Sequence, residues 1–462
     1  MTHSYFGLLA APTNYSYIVA FRFLDLFAGI GGFHAALTAL GGECVDAVEI
    51  DQFSSTIYQR NWGLNPFGDV TEMANEDEVT VPDHEVLVAG FPCQPFSKSG
   101  AQKGMEETRG TLFWNILKIV QAKRPALVML ENVRNLAGPR HLHEWDVIIR
   151  SLREEGYEVC ETPNVLSPHQ LPREFGGRPQ VRERVFIVAL RNDKGMDSQF
   201  SSTRIIDKME IPDWNPQNWN LQTDLPLDVD EFPKGTALSK SETLWIDAWN
   251  DFVEGMWEIR DGNRLPGFPI WADEWRLPEE LEIPANTPAW KSDFLRKNAQ
   301  FYADHQEFLD GWTKKWDVYS EKFPPSRRKL EWQAQDTPRL WDTVMHFRPS
   351  GIRAKRPTYL PALVAITQTS IIGPLKRRIS TREASRLQGL PDWFSFGEQA
   401  DALSYKQLGN GVSVGAIWFV LKRVAEIEDG LLQESCASLY NDLSSSPTNP
   451  DERLEALREL VH

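Results

Sequence analysis

The chain is poor in cysteine: Cys44, Cys93, Cys160 and Cys436 are the only four in 462 residues, with no CxxC pair and no histidine at ligand spacing. That scarcity argues against a disulfide framework and a zinc site, and it fits a reducing cytoplasm. Long apolar runs are absent too. Val86 to Pro92 and Ala126 to Leu130 fall far short of the roughly 18 residues a membrane span requires. The N-terminus lacks a basic n-region leading into an uninterrupted apolar stretch, so no targeting segment is expected. Positive charge is scarce overall, since 49 Lys and Arg face 65 Asp and Glu for a net −16. Spread evenly, that balance would argue against a nucleic-acid partner. It is not spread evenly: residues 1–190 carry −7, 191–310 carry −12, 311–390 carry +10 and 391–462 carry −7. The basic stretch contains Arg327-Arg328-Lys329, Arg353 to Arg356 and Lys376-Arg377-Arg378. Arg353, Lys355 and Arg356 are candidate phosphate contacts, with a solvated basic surface as the plainer alternative.

What is present is globular: 41% hydrophobic and 25% charged residues, in a chain two to four times the usual domain length of about 100 to 200 residues. Two or more domains are expected. Short β-rich runs alternate with helical patterns from Phe21 to Leu190, the signature of an α/β unit with a largely parallel sheet. Strands are expected over Phe21 to Phe27, Cys44 to Ile50, Glu85 to Phe91, Ala126 to Glu131, Tyr157 to Val165 and Val185 to Leu190. Phe113, Ile116, Leu117 and Val120 keep the spacing of one helical face. Residues 191 to about 350 change character, holding 12 of the 17 tryptophans and many prolines. These rings could stack on bases, but a small domain's core is the expectation. Ser380-Thr381 with Glu383 reads as a capped helix start, and Val414, Ile417, Trp418 and Leu421 mark another helix. Ser444 to Pro450 reads as a linker to a short terminal helix. The expected organisation is an α/β unit to about 190, a separate module after it, and a linker with a last helix over 431–462.

Four constellations carry chemistry. The apolar run Phe23 to Phe27 ends in Ala28-Gly29-Ile30-Gly31-Gly32, a glycine-rich turn opening a helix, where the backbone can approach a ligand and N–H groups stay free. About 20 residues further on, Glu49 ends a strand as a candidate acceptor for ribose hydroxyls. This is an adenosine-binding order, which fits a dinucleotide or S-adenosylmethionine. A Walker-type loop is excluded because no Gly-Lys-Ser/Thr follows. Next, Pro92-Cys93-Gln94-Pro95 follows an apolar strand, and prolines stiffen a loop that holds Cys93, a nucleophile candidate. Third, Glu131-Asn132-Val133 follows the strand ending at Leu130, so a carboxylate enters the same crevice. Fourth, Gln180-Val181-Arg182-Glu183-Arg184 leads into a strand; two arginines two apart share a face, where they could hold a carbonyl oxygen or phosphates.

Together these motifs resemble the DNA (cytosine-5)-methyltransferase family of bacterial type. Gly68-Asp69-Val70, Arg109 to Phe113, Thr381 to Gly389 and Gln407 to Val412 add to the likeness, in the family's order. The resemblance implies a Rossmann-like, S-adenosylmethionine-dependent catalytic and cofactor-binding α/β domain with a mostly parallel sheet over 1–190, a smaller target-recognition domain at 191–375, and a return of the chain to the catalytic domain over 376–430. It implies Cys93, Glu131, Arg182 and Arg184 as catalytic residues. It also implies a cofactor site at Asp25, Phe27, Ala28, Gly29, Gly31, Gly32, Glu49, Ile50, Asp69, Val70, Pro92, Asn410 and Val412. Gln94 and Ser97 join Arg353, Lys355 and Arg356 as DNA contacts. No metal is implied. The expected partner is double-stranded DNA, bound by a monomer, with restriction or phage-defence proteins as possible associates.

The implied chemistry explains the residue types. Cytosine C5 is a weak nucleophile, so a thiolate adding at C6 pushes electron density to C5. Glu131 would stabilise the ring charge at N3 and Arg184 would hold O2, with Arg182 supporting the loop. The target base must leave the duplex, at a cost of a few kcal/mol. Three alternatives stand beside this reading: an RNA (tRNA) cytosine methyltransferase, a catalytically inactive DNA-binding protein, and a dinucleotide-dependent oxidoreductase.

Overall fold

Strands built from near-continuous apolar runs have to be covered on both faces, and the first half of the chain is folded that way. A computed structural model describes residues 21–92, 111–195, 199–206, 214–228, 232–363 and 369–461. The first sheet contains β1 (Phe21–Leu26), β2 (Gly42–Val48), β3 (Val86–Ala89), β4 (Leu127–Val133), β5 (Tyr157–Val159), β6 (Asn164–Leu166) and β7 (Arg184–Arg191). Its order is β2-β1-β3-β4-β7-β5, with β6 also on β7. The β1–β2, β1–β3 and β3–β4 pairs are parallel, while β7 runs antiparallel to β4, β5 and β6. The strand expected over Tyr157 to Val165 is two strands: Pro163, which has no N–H to donate, lies between the two pieces that pair with β7.

The connections are helical: α1 (Gly32–Ala39), α2 (Gln52–Trp62) and the single turn α3 (Val70–Met73), then α4 (Leu112–Lys123) and α5 (Leu142–Glu154). Asp51 caps α2 by accepting from the Ser54 N–H, and Thr111 caps α4 by accepting from Trp114. From β1 the chain steps to β2 on one side and then crosses to β3 on the other. The carboxyl ends of β1 and β3 therefore flank a topological switch point, where open α/β sheets place their ligands.

After β7, Phe200, Ile205, Leu221 and Leu225 still pack into the first core. The chain then enters a second unit with α6 (Lys240–Ile259), α7 (Ala289–Trp316) and a sheet of β8 (Ile270–Trp271), β9 (Lys329–Gln333), β10 (Val344–Arg348), β11 (Gly351–Lys355), β12 (Ile371–Ile372) and β13 (Arg377–Arg378). The order is β13-β12-β10-β11-β9-β8, with β9 and β11 parallel. Tryptophans build its core: Trp249 and Trp312 lie 4.9 Å apart by ring centroids and are buried. Their indole N–H groups donate to the carbonyls of Arg327 at 2.8 Å and Ala248 at 2.7 Å, which makes large aromatics tolerable there.

The chain returns through α8 (Thr381–Gln388), whose Ser380 and Glu383 form a capping box, then α9 (Asp401–Asn410) and α10 (Val414–Ile427), which packs on α1. Further helices, α11 (Asp429–Ser435), α12 (Ala437–Ser445) and α13 (Asp451–Ala456), bury Leu431, Leu432, Leu439, Leu443 and Leu454 against the first core. Among the described residues no helix is long and apolar enough to cross a membrane.

Candidate active site

A cavity of about 550 Å³ opens at the switch point, with Phe27 and Gly29 from the turn after β1, Glu49 and Ile50 after β2, Gly90 to Pro92 after β3, Glu131 on β4 and Arg184 on β7 among its lining residues. Its floor is built by the glycine turn. Gly29 has φ +57 and open space where a Cβ would stand, so ligand atoms can come directly onto the backbone. Phe27 is also left-handed, at φ 56, a conformation that non-glycine residues rarely take. The Glu49 carboxylate fastens the turn, accepting from the Gly29 N–H at 2.8 Å and the Asp51 N–H at 2.7 Å. Burial pushes the Glu49 carboxyl up, against those two backbone donors. Asp69 caps α3 and lines the cavity with the buried Val70, while Ile50 exposes a large apolar side chain at the rim.

The other turn residues serve packing. A Cβ on Gly31 would lie 2.0 Å from Trp62 Nε1, and one on Gly32 would lie 2.8 Å from Val412 Cγ1. Thus Gly31, Gly32 and Val412 lock α1 against α2 and the returning chain instead of lining the cavity. Ala28 is buried, its N–H bound to the Val48 carbonyl at 3.0 Å. Asp25 is fully buried beneath the turn, and burial followed by the nearby Glu49 charge pushes its carboxyl well up. It too is absent from the cavity wall.

Glu131 and Arg184 meet, with Arg184 Nε 2.8 Å from Glu131 Oε1. Burial raises the Glu131 carboxyl above its ordinary range, although Arg184 and then Arg182 pull the other way. The next residue holds the neighbouring loop: Asn132 Nδ2 donates to the Phe91 carbonyl at 2.8 Å. Pro92 lines the cavity. Cys93, Gln94 and Ser97 lie outside the described residues.

The two arginines take different partners, although both act on the Glu131 charge. Arg182 precedes β7 and is fully buried; its Nη2 donates to the Gly409 carbonyl at 2.8 Å and also to that of Gly411. Burial, and next the Arg184 charge, lower it to about 9. Arg182 therefore ties the entry of β7 to the end of α9, which brings Asn410 to the cavity. Of the basic residues, Arg353 is paired with Glu331 at 2.6 Å, Arg356 with Asp336, and Lys355 Nζ stands 4.9 Å from the Tyr359 ring centroid.

Several lining residues were given no role from sequence: Leu112 and Gln407 were quoted only as members of motifs, and Asp51, Leu403 and Lys406 lie beside them. Helix α9 places Leu403, Lys406, Gln407 and Asn410 at i, i+3, i+4 and i+7. That period was the available signal.

The model of the C-5 cytosine-specific DNA methylase family matches residues 21–426. The chain belongs to this family. It is 47% identical over 487 aligned residues to the type II methyltransferase M.AluI of Cellulosimicrobium cellulans, covering 89% of this chain and 93% of that one. M.HgiBI of Herpetosiphon aurantiacus is 27% identical over 442 residues, covering 85% and 94%. M.HhaI of Haemophilus parahaemolyticus is 39% identical over 202 residues, covering 42% of this chain and 58% of its own length. The methylase is thus an S-adenosylmethionine-dependent enzyme that acts on C5 of cytosine in DNA, which sets aside the RNA-directed, inactive and oxidoreductase alternatives.

Proposed function

We propose that the enzyme methylates one short double-stranded sequence through a covalent Cys93–C6 adduct on a flipped cytosine, acting as a monomer in the cytoplasm. The observation that carries the reading is the convergence on one cavity of the Glu131–Arg184 pair, the Gly29–Glu49 turn and Pro92, immediately before Cys93.

Gly29, Glu49, Ile50, Asp69 and Val70 would hold the cofactor. Bound there, S-adenosylmethionine supplies an electrophilic methyl group. The Cys93 thiolate forms a bond to C6 while the C5–C6 π pair moves to C5. Glu131, whose carboxyl burial raises above its ordinary range, donates toward N3 when protonated as charge builds on the ring, and Arg184 orients Glu131 and takes O2. Once C5 is methylated its proton passes to water, the ring double bond reforms and the C6–S bond breaks, releasing Cys93. Arg182 is a positioning residue, holding the α9 side of the cavity.

The six-stranded unit with α6 and α7 reads the target. Its target sequence is the one M.AluI modifies: that alignment leaves only about a tenth of this chain uncovered, much less than residues 191–375 amount to. The test is methylation sequencing of DNA from cells expressing the wild type, Cys93→Ala or M.AluI. One shared motif bearing 5-methylcytosine, absent with Cys93→Ala, is expected. Undiminished methylation by Cys93→Ala would overturn the nucleophile, and a different motif would overturn the shared specificity.

A further inference from the structure

The cavity wall is rich in carboxylates: Glu49, Asp51, Asp69 and Glu131 all contribute. Of the two cations that the described residues bring to it, Arg184 is committed to Glu131. The other is Lys406, which is exposed and shows no ion pair or hydrogen bond among the described residues. The helix beneath it is firmly held. The Tyr405 hydroxyl donates to the Ile379 carbonyl at 2.6 Å, the Gln407 and Gln399 amides meet at 2.6 Å, and Arg182 grips the Gly409 carbonyl at 2.8 Å. A fixed helix thus presents an uncommitted ammonium to a cavity whose other charged groups, among the described residues, are four carboxylates and the paired Arg184.

Two anions approach such a site: the carboxylate of the cofactor and the phosphates beside the flipped nucleotide. Depth separates them. Lys406 is exposed, so its charge stands at the mouth, and when a base enters a pocket its flanking phosphates remain at that mouth. A compact, hydrated ammonium suits a phosphate oxygen without bidentate geometry. DNA is also the ligand that the carboxylates would repel, in a chain of net charge −16.

We infer that Lys406 binds a backbone phosphate adjoining the flipped cytosine and so holds the extruded nucleotide in register with Glu131 and Cys93. The inference rests on the base-flipping reading above, and two titrations of the full-length protein separate them. The first follows a fluorescein-labelled duplex carrying the mapped motif over a salt series. The second follows S-adenosylmethionine by calorimetry. For Lys406→Ala we expect DNA affinity to fall several-fold and the slope of log K against log salt to shrink by about 0.9, the share of one phosphate. Cofactor affinity should stay within about twofold, which also reports on folding, and Lys406→Arg should restore the slope. An unchanged slope would overturn the assignment. A weakened cofactor affinity at constant slope would overturn it too and seat Lys406 on the cofactor carboxylate. If the wild type itself neither methylates nor binds the duplex, the base-flipping reading fails, independently of Lys406.

Discussion

The two sheets of this enzyme handle charge in opposite ways. In the first, Leu24, Leu26, Leu87, Val88, Val128 and Met129 are buried between two apolar layers, so polar groups that do chemistry are confined to strand ends, the carboxyl ends of β1 to β4 and the amino end of the antiparallel β7. In the second, β9 to β11 alternate: Leu330, Trp332, Met345, Phe347, Ile352 and Ala354 face the tryptophan core. Glu331, His346, Arg348, Arg353 and Lys355 occupy the alternating positions. A two-faced core leaves only strand ends for function, whereas a one-faced core leaves most of the other face to polar side chains, here all but Val344 of β10. The second surface is electrostatically prearranged. Burial, and then the charges of Lys355, Arg348, Arg353 and Arg378, lower His346 to about 3, so it is neutral among cations, with Nε2 held 2.6 Å from Ser370 Oγ.

If strand ends carry the chemistry, the largest effect belongs to Glu131→Gln: about 10² to 10⁴-fold in kcat, with the methylated motif unchanged. Burial raises the Glu131 carboxyl, so the protonated, active form is depleted as pH rises through that raised value. The wild-type rate should decline on that alkaline limb, and the limb should vanish in Glu131→Gln. A near-normal rate for the variant would break the assignment of chemistry to the first sheet.

If the two cores are separate, Trp249→Ala should cost the second unit about 3–5 kcal/mol while the first continues to bind S-adenosylmethionine. Thermal unfolding followed alongside cofactor titration measures this. Loss of both together would mean that Phe200, Leu221, Val344 and Ile372, which join the first core from beyond β7, fuse the two into one cooperative unit. The smallest effect is expected from the open face. Charge reversal of Arg353, Lys355 and Arg356 should flatten the salt dependence of DNA binding, but less than three unpaired cations would, because Arg353 and Arg356 already pair with Glu331 and Asp336. An identical slope would move the phosphate surface elsewhere.

Much of the first sheet was legible because its strands are apolar runs ending in distinctive residues: Glu49, Pro92 and Glu131 were placed at strand ends from sequence and stand in one cavity. The roles of Gly31 and Gly32 were not legible, since the atoms that forbid a side chain belong to Trp62 and Val412, one of them hundreds of residues away. The same holds for Arg182, whose partners are Gly409 and Gly411. Helices α11 and α12 went unread beside the Ser-rich linker, although Leu432, Leu439 and Leu443 keep a helical recurrence. In the second unit the alternation of β9 to β11 was present in the sequence, but tryptophan and proline dominated the reading of its composition.

The hold of Arg182 on Gly409 and Gly411 has a consequence for synthesis. A ribosome releases the glycine turn, Glu49 and Glu131 early, yet the wall that Asn410 and Lys406 complete arrives only after the whole second unit has emerged. Chains that stop short within that unit therefore carry Cys93 without a finished wall to the cavity. If the second unit chooses the sequence, as proposed above, the pocket is completed only in a molecule already equipped to choose.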